Sequence, residues 1–108
     1  MRQAKVLYKN ELAGLITQLD DGSFVFNYEE HWFNDVTKPA ISLTLPKTQQ
    51  KYTSDVLFPF FYNMLPEGSN KQTVCFENRI DPKDDFGILM TTAKHDTIGA
   101  VRIVKIAE

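Results

Sequence analysis

Phe58-Pro59-Phe60-Phe61-Tyr62-Asn63-Met64-Leu65-Pro66-Glu67-Gly68-Ser69 is the most apolar window of the chain, and it stops abruptly at a proline, an acid and a glycine. Pro59 suits the first position of a helix, where its fixed φ is preorganised and its missing N–H is no loss, while Pro66 turns Leu65 out of helical geometry. The spacing predicts a helix of about two turns, too short to persist alone in water and held by burial of Phe58, Phe61, Met64 and Leu65. This helix is the expected hub of the core. Pro66-Glu67-Gly68 leaves it as a loop in which Gly68 takes positive φ cheaply, and Ser69-Asn70-Lys71-Gln72 fits the S-x-x-Q capping box of a second helix. A rigid tip between two helices can present residues to a partner.

Upstream of the hub the pattern is β. Lys5 to Leu19 reads as two short strands around the polar turn Lys9-Asn10-Glu11, and Asp20-Asp21-Gly22-Ser23 is a second turn signal. Phe24 to Glu29 alternates as a half-buried strand, with Phe24, Phe26 and Tyr28 forming an aromatic inner face. His31 to Lys38 reads as a loop or short irregular stretch. Ile41-Ser42-Leu43-Thr44-Leu45 alternates again, ended by Pro46, and Gln49 to Ser54 reads as a polar surface connection.

Downstream, Asn70 to Arg79 is the second expected helix, with Val74, Cys75 and Ile80 turned inward and Asp81-Pro82 ending it. Lys83 to Ala93 is a third, because Phe86, Leu89, Met90 and Ala93 fall at i, i+3, i+4 and i+7 and Asp84 and Asp85 sit at its positive end. Lys94-His95-Asp96-Thr97 reads as a loop and Ile98 to Ile106 as a last strand. The fold class is α+β, a small mostly antiparallel sheet with about three short helices.

At 108 residues the chain is one domain, 1–108, with room for a single core. Eight Phe, four Tyr and one Trp within 43% hydrophobic residues mark it as folded rather than disordered. Its net charge is −2, and Lys and Arg are scattered without a run, so the basic footprint that a phosphate backbone requires is missing and no direct nucleic-acid partner is expected. Cys75 is the single cysteine, so the fold owes nothing to an internal disulfide. Residues 1–8 hold no apolar leader segment and no apolar run reaches membrane-spanning length, so cytoplasmic residence without a membrane partner is the default expectation.

The motifs that carry chemistry have plainer explanations. Asp85-Phe86-Gly87 spells the kinase magnesium triplet, but the glycine-rich phosphate loop, strand lysine and catalytic loop that must accompany it are absent, which leaves a helix start with a buried Phe. His31 and His95 are the only imidazoles, and with one cysteine they make no metal set. A Cys75/His95 nucleophilic pair is open on sequence grounds, although a helix-borne cysteine is more often a small core residue. Asp20-Asp21 and Asp81, Asp84, Asp85 fit turn and capping roles without the spacing of a calcium loop. No catalytic residue and no cofactor is therefore expected.

Candidate contact residues remain. Trp32, beside Phe33 and the acids Glu29 and Glu30, is either an exposed aromatic anchor or the cover of one core edge. Asn63, Glu67 and Ser69 are either helix-end hydrogen-bonding groups or partner contacts, and the two roles coexist at a tip.

Phe60-Phe61-Tyr62-Asn63-Met64-Leu65-Pro66-Glu67-Gly68, the helix after it, Asp81-Pro82-x-Asp84-x-Phe86 and Gly99-Ala100-Val101 resemble, in their order, the N-terminal subdomain of HipA-type toxin kinases. That family shows F-F-x-x-L-L-P-E-G, a D-P-x-D-x-F-x-L-L stretch and a G-A-V/L strand, and Lys9-Asn10-Glu11-Leu12-Ala13-Gly14 is similar to its N-G-x-x-V-G hairpin. Met1 and the end at Glu108 read as a free-standing copy, which resembles the HipS-type proteins of three-part HipB-HipS-HipT systems. The resemblance implies a non-enzymatic antitoxin that binds and restrains a HipT-like serine/threonine kinase toxin in a complex with a HipB-like DNA-binding protein. It places the contact at Leu65, Pro66, Glu67, Gly68 and Ser69, where some relatives carry a bulky residue just after the glycine. The alternative is a structural subunit that completes the kinase or bridges it to the DNA-binding partner without inhibiting it. An enzyme reading rests on Cys75 and the histidines alone.

Overall fold

The computed structural model describes residues 1–93 and 100–106. The chain order is β1 (Arg2–Tyr8), β2 (Glu11–Gln18), β3 (Phe24–Tyr28), α1 (Glu30–Asn34), β4 (Lys51–Ser54), α2 (Pro59–Tyr62), α3 (Gly68–Asn78), α4 (Asp85–Thr92) and β5 (Val101–Lys105). The strands form one sheet in the order β4-β3-β2-β1-β5, with every neighbouring pair antiparallel. The α+β expectation holds, with four helices among the described residues instead of about three.

Local chemistry explains the hairpins. Lys9 and Asn10 both take positive φ, 49° and 67°, the geometry of a two-residue turn whose twist matches its strands. At the next turn Gly22 has φ 89°, and Asp21 accepts hydrogen bonds from the Ser23 backbone N–H and hydroxyl. Those bonds hold the Asp21 carboxyl below its ordinary pKa.

One face of the sheet carries the core. Val6, Ile16, Phe26, Tyr28 and Ile103 alternate onto it and are essentially buried. Phe26 packs on Phe61 of α2 at a ring separation of 5.8 Å, Phe24 on Phe86 of α4 at 5.9 Å, and Tyr8 on Trp32 of α1 at 5.5 Å. Helices α1, α2 and α4 therefore cover this face. The interior of α4 is as its spacing predicted, with Phe86, Leu89, Met90 and Ala93 all buried.

Four expectations upstream of the tip need correction. His31 to Asn34 is helical, because Glu29 caps the backbone N–H of His31 and opens α1. Ile41 to Leu45 is no strand: Leu45 N–H bonds back to Ser42 C=O, Leu43 is 99% exposed, and the buried Tyr28 hydroxyl receives the Ile41 N–H at 3.1 Å and donates to Leu45 C=O. A buried phenol thus pins a loop that alternation mimicked. The fourth strand lies in the polar segment instead, since Lys51–Ser54 pairs with β3. The hub helix is one turn, α2, shorter than the sequence suggested, and turn bonds from Met64 to Phe61 and Leu65 to Tyr62 carry the chain on to Pro66.

Two more concern α3. It begins at Gly68, so Ser69 lies inside the first turn and the expected capping box does not form. It ends at Arg79, whose φ of 55° lets the Ile80 N–H reach Cys75 C=O before Asp81-Pro82 is reached. The expected loop from Lys94 to Thr97, with His95, and the start of the last strand at Ile98 and Gly99 lie outside the described residues.

Candidate functional site

The tip is built from the hub outward. Phe58 precedes α2 and is 6% exposed, Phe61 is fully buried, and their rings meet edge to face at 6.2 Å. Phe60 packs on Phe61 at 5.2 Å. Aromatic burial of this kind, worth about 2–3 kcal/mol per ring, anchors a helix that one turn of hydrogen bonds could not hold. Asn63 closes α2, its N–H bonding to Pro59 C=O at 2.9 Å while its side chain is exposed.

From there the chain rises out of the core in steps. Met64, Leu65 and Pro66 are half-buried; Glu67, Gly68 and Ser69 are exposed. Glu67 is extended, with φ −123° and ψ 158°, and Gly68 turns the chain with φ 58°. A side chain at Gly68 would meet no other atom within 4 Å, so the constraint there is backbone conformation and not crowding. Apolar residues below, a left-handed corner at Gly68, and exposed polar groups above make a tip that projects from the core.

Sequence reasoning gathered Asn63, Leu65, Pro66, Glu67, Gly68 and Ser69 into one segment, and the structure brings them together. Trp32 is not with them. It is 1% exposed, its indole N–H donates to Pro39 C=O at 2.9 Å, and Lys38 lies over its ring at 5.3 Å. The exposed-anchor reading of Trp32 is therefore corrected: Tyr8 and Lys38 enclose it, and it serves the core.

The anchor that sequence reasoning missed is Phe76. It is 87% exposed on α3, a helix in which only Cys75 is buried. Ser69, Gln72, Thr73 and Phe76 fall at i, i+3, i+4 and i+7 and are all exposed, so one face of α3 runs from the tip to an open aromatic ring. The signal was in the spacing: Phe76 lies off the face that carries Cys75. Tyr62, 55% exposed at the end of α2, adds a second open ring beside the segment.

Among the described residues, which do not include His95, no catalytic arrangement emerges. Cys75 is buried at 4% exposure, and among the described residues no group of three or more His, Cys, Asp or Glu side chains could hold a metal ion. Asp85-Phe86-Gly87 is the first turn of α4, with Phe86 fully buried. Among the described residues no helix is long and apolar enough to cross a membrane. What the tip offers is shape, one carboxylate at Glu67, and exposed rings at its flanks.

Comparison with known proteins supplies context for this geometry. A family model described as HipA N-terminal domain matches residues 4–104. An uncharacterised protein of Haemophilus influenzae is 34% identical over 103 residues, which cover 95% of this chain and 92% of that protein. Y4mE of Sinorhizobium fredii, named as a candidate kinase, is 28% identical over 104 residues, 96% of this chain but 24% of that protein. A second such protein of that organism is 29% identical over 99 residues, again 24% of its length. Among solved structures, the N-terminal domain of HipA toxin superposes with a TM-score of 0.72 at 29% identity, covering 100% of this chain and 95% of that one.

Proposed function

The chain belongs to the HipA N-terminal domain family, associated with HipA toxin–antitoxin systems, and on that premise we propose that it is an antitoxin subunit that binds and neutralises a HipA/HipT-like serine/threonine kinase toxin. Its other partner in the complex is a HipB-like DNA-binding protein. The observation that carries the reading is the preformed corner at Gly68, which lifts Glu67 and Ser69 off a buried aromatic base and continues into the open face of α3. A preformed tip loses little conformational entropy on docking. Masking a kinase requires no chemistry from the inhibitor, only an interface of about 800 Å² on each partner.

One further observation supports it. The matched segment makes up 24% of proteins named as candidate kinases, which fits a piece that seats on a larger kinase body. The residue after the tip glycine is the small Ser69, so inhibition here works by covering the kinase with a shaped surface and not by plugging its pocket with a large side chain. Direct contact with nucleic acid has no part in the proposal, and neither has a cofactor.

Combined replacement of Glu67 and Gly68 by alanine tests the contact. Co-purification with a tagged kinase partner should fall sharply while the circular dichroism of the isolated chain stays unchanged. Retention of full binding would remove the tip from the interface.

A further inference from the structure

The sheet has a second face, and the core does not use it. Residues alternating with Ala4, Val6, Ile16, Phe26 and Ile103 point the other way, and the strand registers place them in rows. Val104, Lys5, Leu15, Asn27 and Lys51 form one such row across all five strands, a span of about 19 Å at about 4.8 Å per strand. The row beside it joins Arg102, Leu7 and Leu12, and on the other side Gln3 bonds its cross-strand partner Thr17 at 3.2 Å, with Val25 next in line.

Two properties of this face combine. Its middle is apolar, with Leu7, Leu12 and Leu15 half-buried and Val25 only 8% exposed, yet Lys5 and Lys51 stand exposed among them, so no helix among the described residues closes over it. Its charge has one sign. Lys5, Lys51 and Arg102 are cationic and none of the outward residues is acidic, in a chain whose net charge is −2. Glu11, at the end of β2, turns to the opposite side and pairs with Lys38 at 2.7 Å. Arg102 Nε is buried without a hydrogen-bond partner among the described residues.

We propose that this face docks a protein partner through an acidic segment that carries apolar side chains. Leucines and valines supply the buried centre, and the three cations supply register and a preference for carboxylates. Among the described residues the face offers no aromatic side chain for base stacking and only three cations, which disfavours a nucleic-acid strand. It lies on the side of the sheet opposite to α2, the helix that carries the tip, so both surfaces can be occupied at once. A module with two independent faces can hold a kinase on one and an acidic partner on the other.

The test is a methyl and amide NMR titration of the full chain with a short synthetic peptide alternating Glu and Leu. The expected result is saturable shifts at Leu7, Leu15, Val25 and Val104, with none at Glu67 or Ser69. Lys5→Glu combined with Lys51→Glu, both at exposed positions, should weaken binding about tenfold, the sum of two rim charges. The same peptide with Gln in place of Glu should bind as weakly. Absence of saturable shifts, equal binding of the Gln peptide, or tighter binding of an oligothymidylate would each overturn the proposal. Because the readout involves no kinase, it stands or falls separately from the tip.

Discussion

Arg2 and Asp84 lie 82 positions apart and meet in a two-pronged ion pair, Nη1 to Oδ2 at 3.0 Å and Nη2 to Oδ1 at 2.6 Å. The pair ties the first strand to the start of α4, and Asp84 also accepts the Gly87 N–H at 3.1 Å, capping that helix. Arg2 in addition lies over the Phe86 ring at 5.3 Å and bonds Gln18, so one side chain joins β1, β2 and α4.

Separating cap from ion pair is the first test. Asp84→Asn keeps an N-capping side chain and loses the charge, for an expected cost of about 0.5–1 kcal/mol; Asp84→Ala loses both, for about 1–2 kcal/mol. The Arg2 hydrogen bonds, ahead of the Gly87 N–H, hold the Asp84 carboxyl below its ordinary pKa despite partial burial. A depressed folded value means that the contribution is fully present above the unfolded carboxylate pKa and is lost as pH falls through the folded one. Urea midpoints of wild type and Asp84→Asn should therefore differ at neutral pH and converge in acid.

Gly87→Ala reverses the usual rule. Alanine favours a helix interior over glycine by about 1 kcal/mol, but a methyl at Gly87 would strike the Asp84 carboxylate that Arg2 holds in place. The single variant should be destabilised by about 1 kcal/mol or more. In an Asp84→Ala background the same change should stabilise, and thermal melts of the four proteins give the coupling directly.

Trp32 provides an internal reporter. Its burial beneath Lys38 and against Tyr8 predicts blue-shifted fluorescence that partner binding leaves unchanged, and Trp32→Ala should cost about 3–5 kcal/mol. An exposed-type emission spectrum from the folded chain would contradict this placement.

What could be read from residues alone followed from strong local chemistry. The Asn10 and Gly22 turns, the aromatic alternation of Phe24 to Tyr28, the one-sided face of α4, and the positive φ of Gly68 each depend on a few neighbours, and each is present. The errors came from long-range partners. Lys51–Ser54 is polar and becomes a strand only because β3 offers an edge, while Ile41 and Leu45 are held by a phenol thirteen and seventeen residues away. The sequence leaves Trp32 open between exposed anchor and core cover for the same reason, since its contacts with Tyr8 and the Pro39 carbonyl are tertiary, whereas Phe76 was overlooked although the helical spacing sets it off the face of Cys75. The tip segment itself was contiguous in sequence, so its assembly needed no tertiary information.

Phe76→Ser probes that uncovered face. At 87% exposure its replacement should change stability by less than about 0.5 kcal/mol. If the face of α3 continues the tip's interface, loss of the ring should weaken the kinase complex by about tenfold or more, as measured by calorimetry with the purified partner. Unaltered affinity would confine the interface to residues 63–69.

The most direct test of the antitoxin reading is the autophosphorylation rate of the kinase partner, measured alone and with a stoichiometric excess of the full chain. The expected result is a rate that falls in proportion to complex formed, and that recovers when the chain carries the combined Glu67 and Gly68 replacement. A stable complex with an undiminished rate would contradict inhibition and assign the chain a scaffolding role.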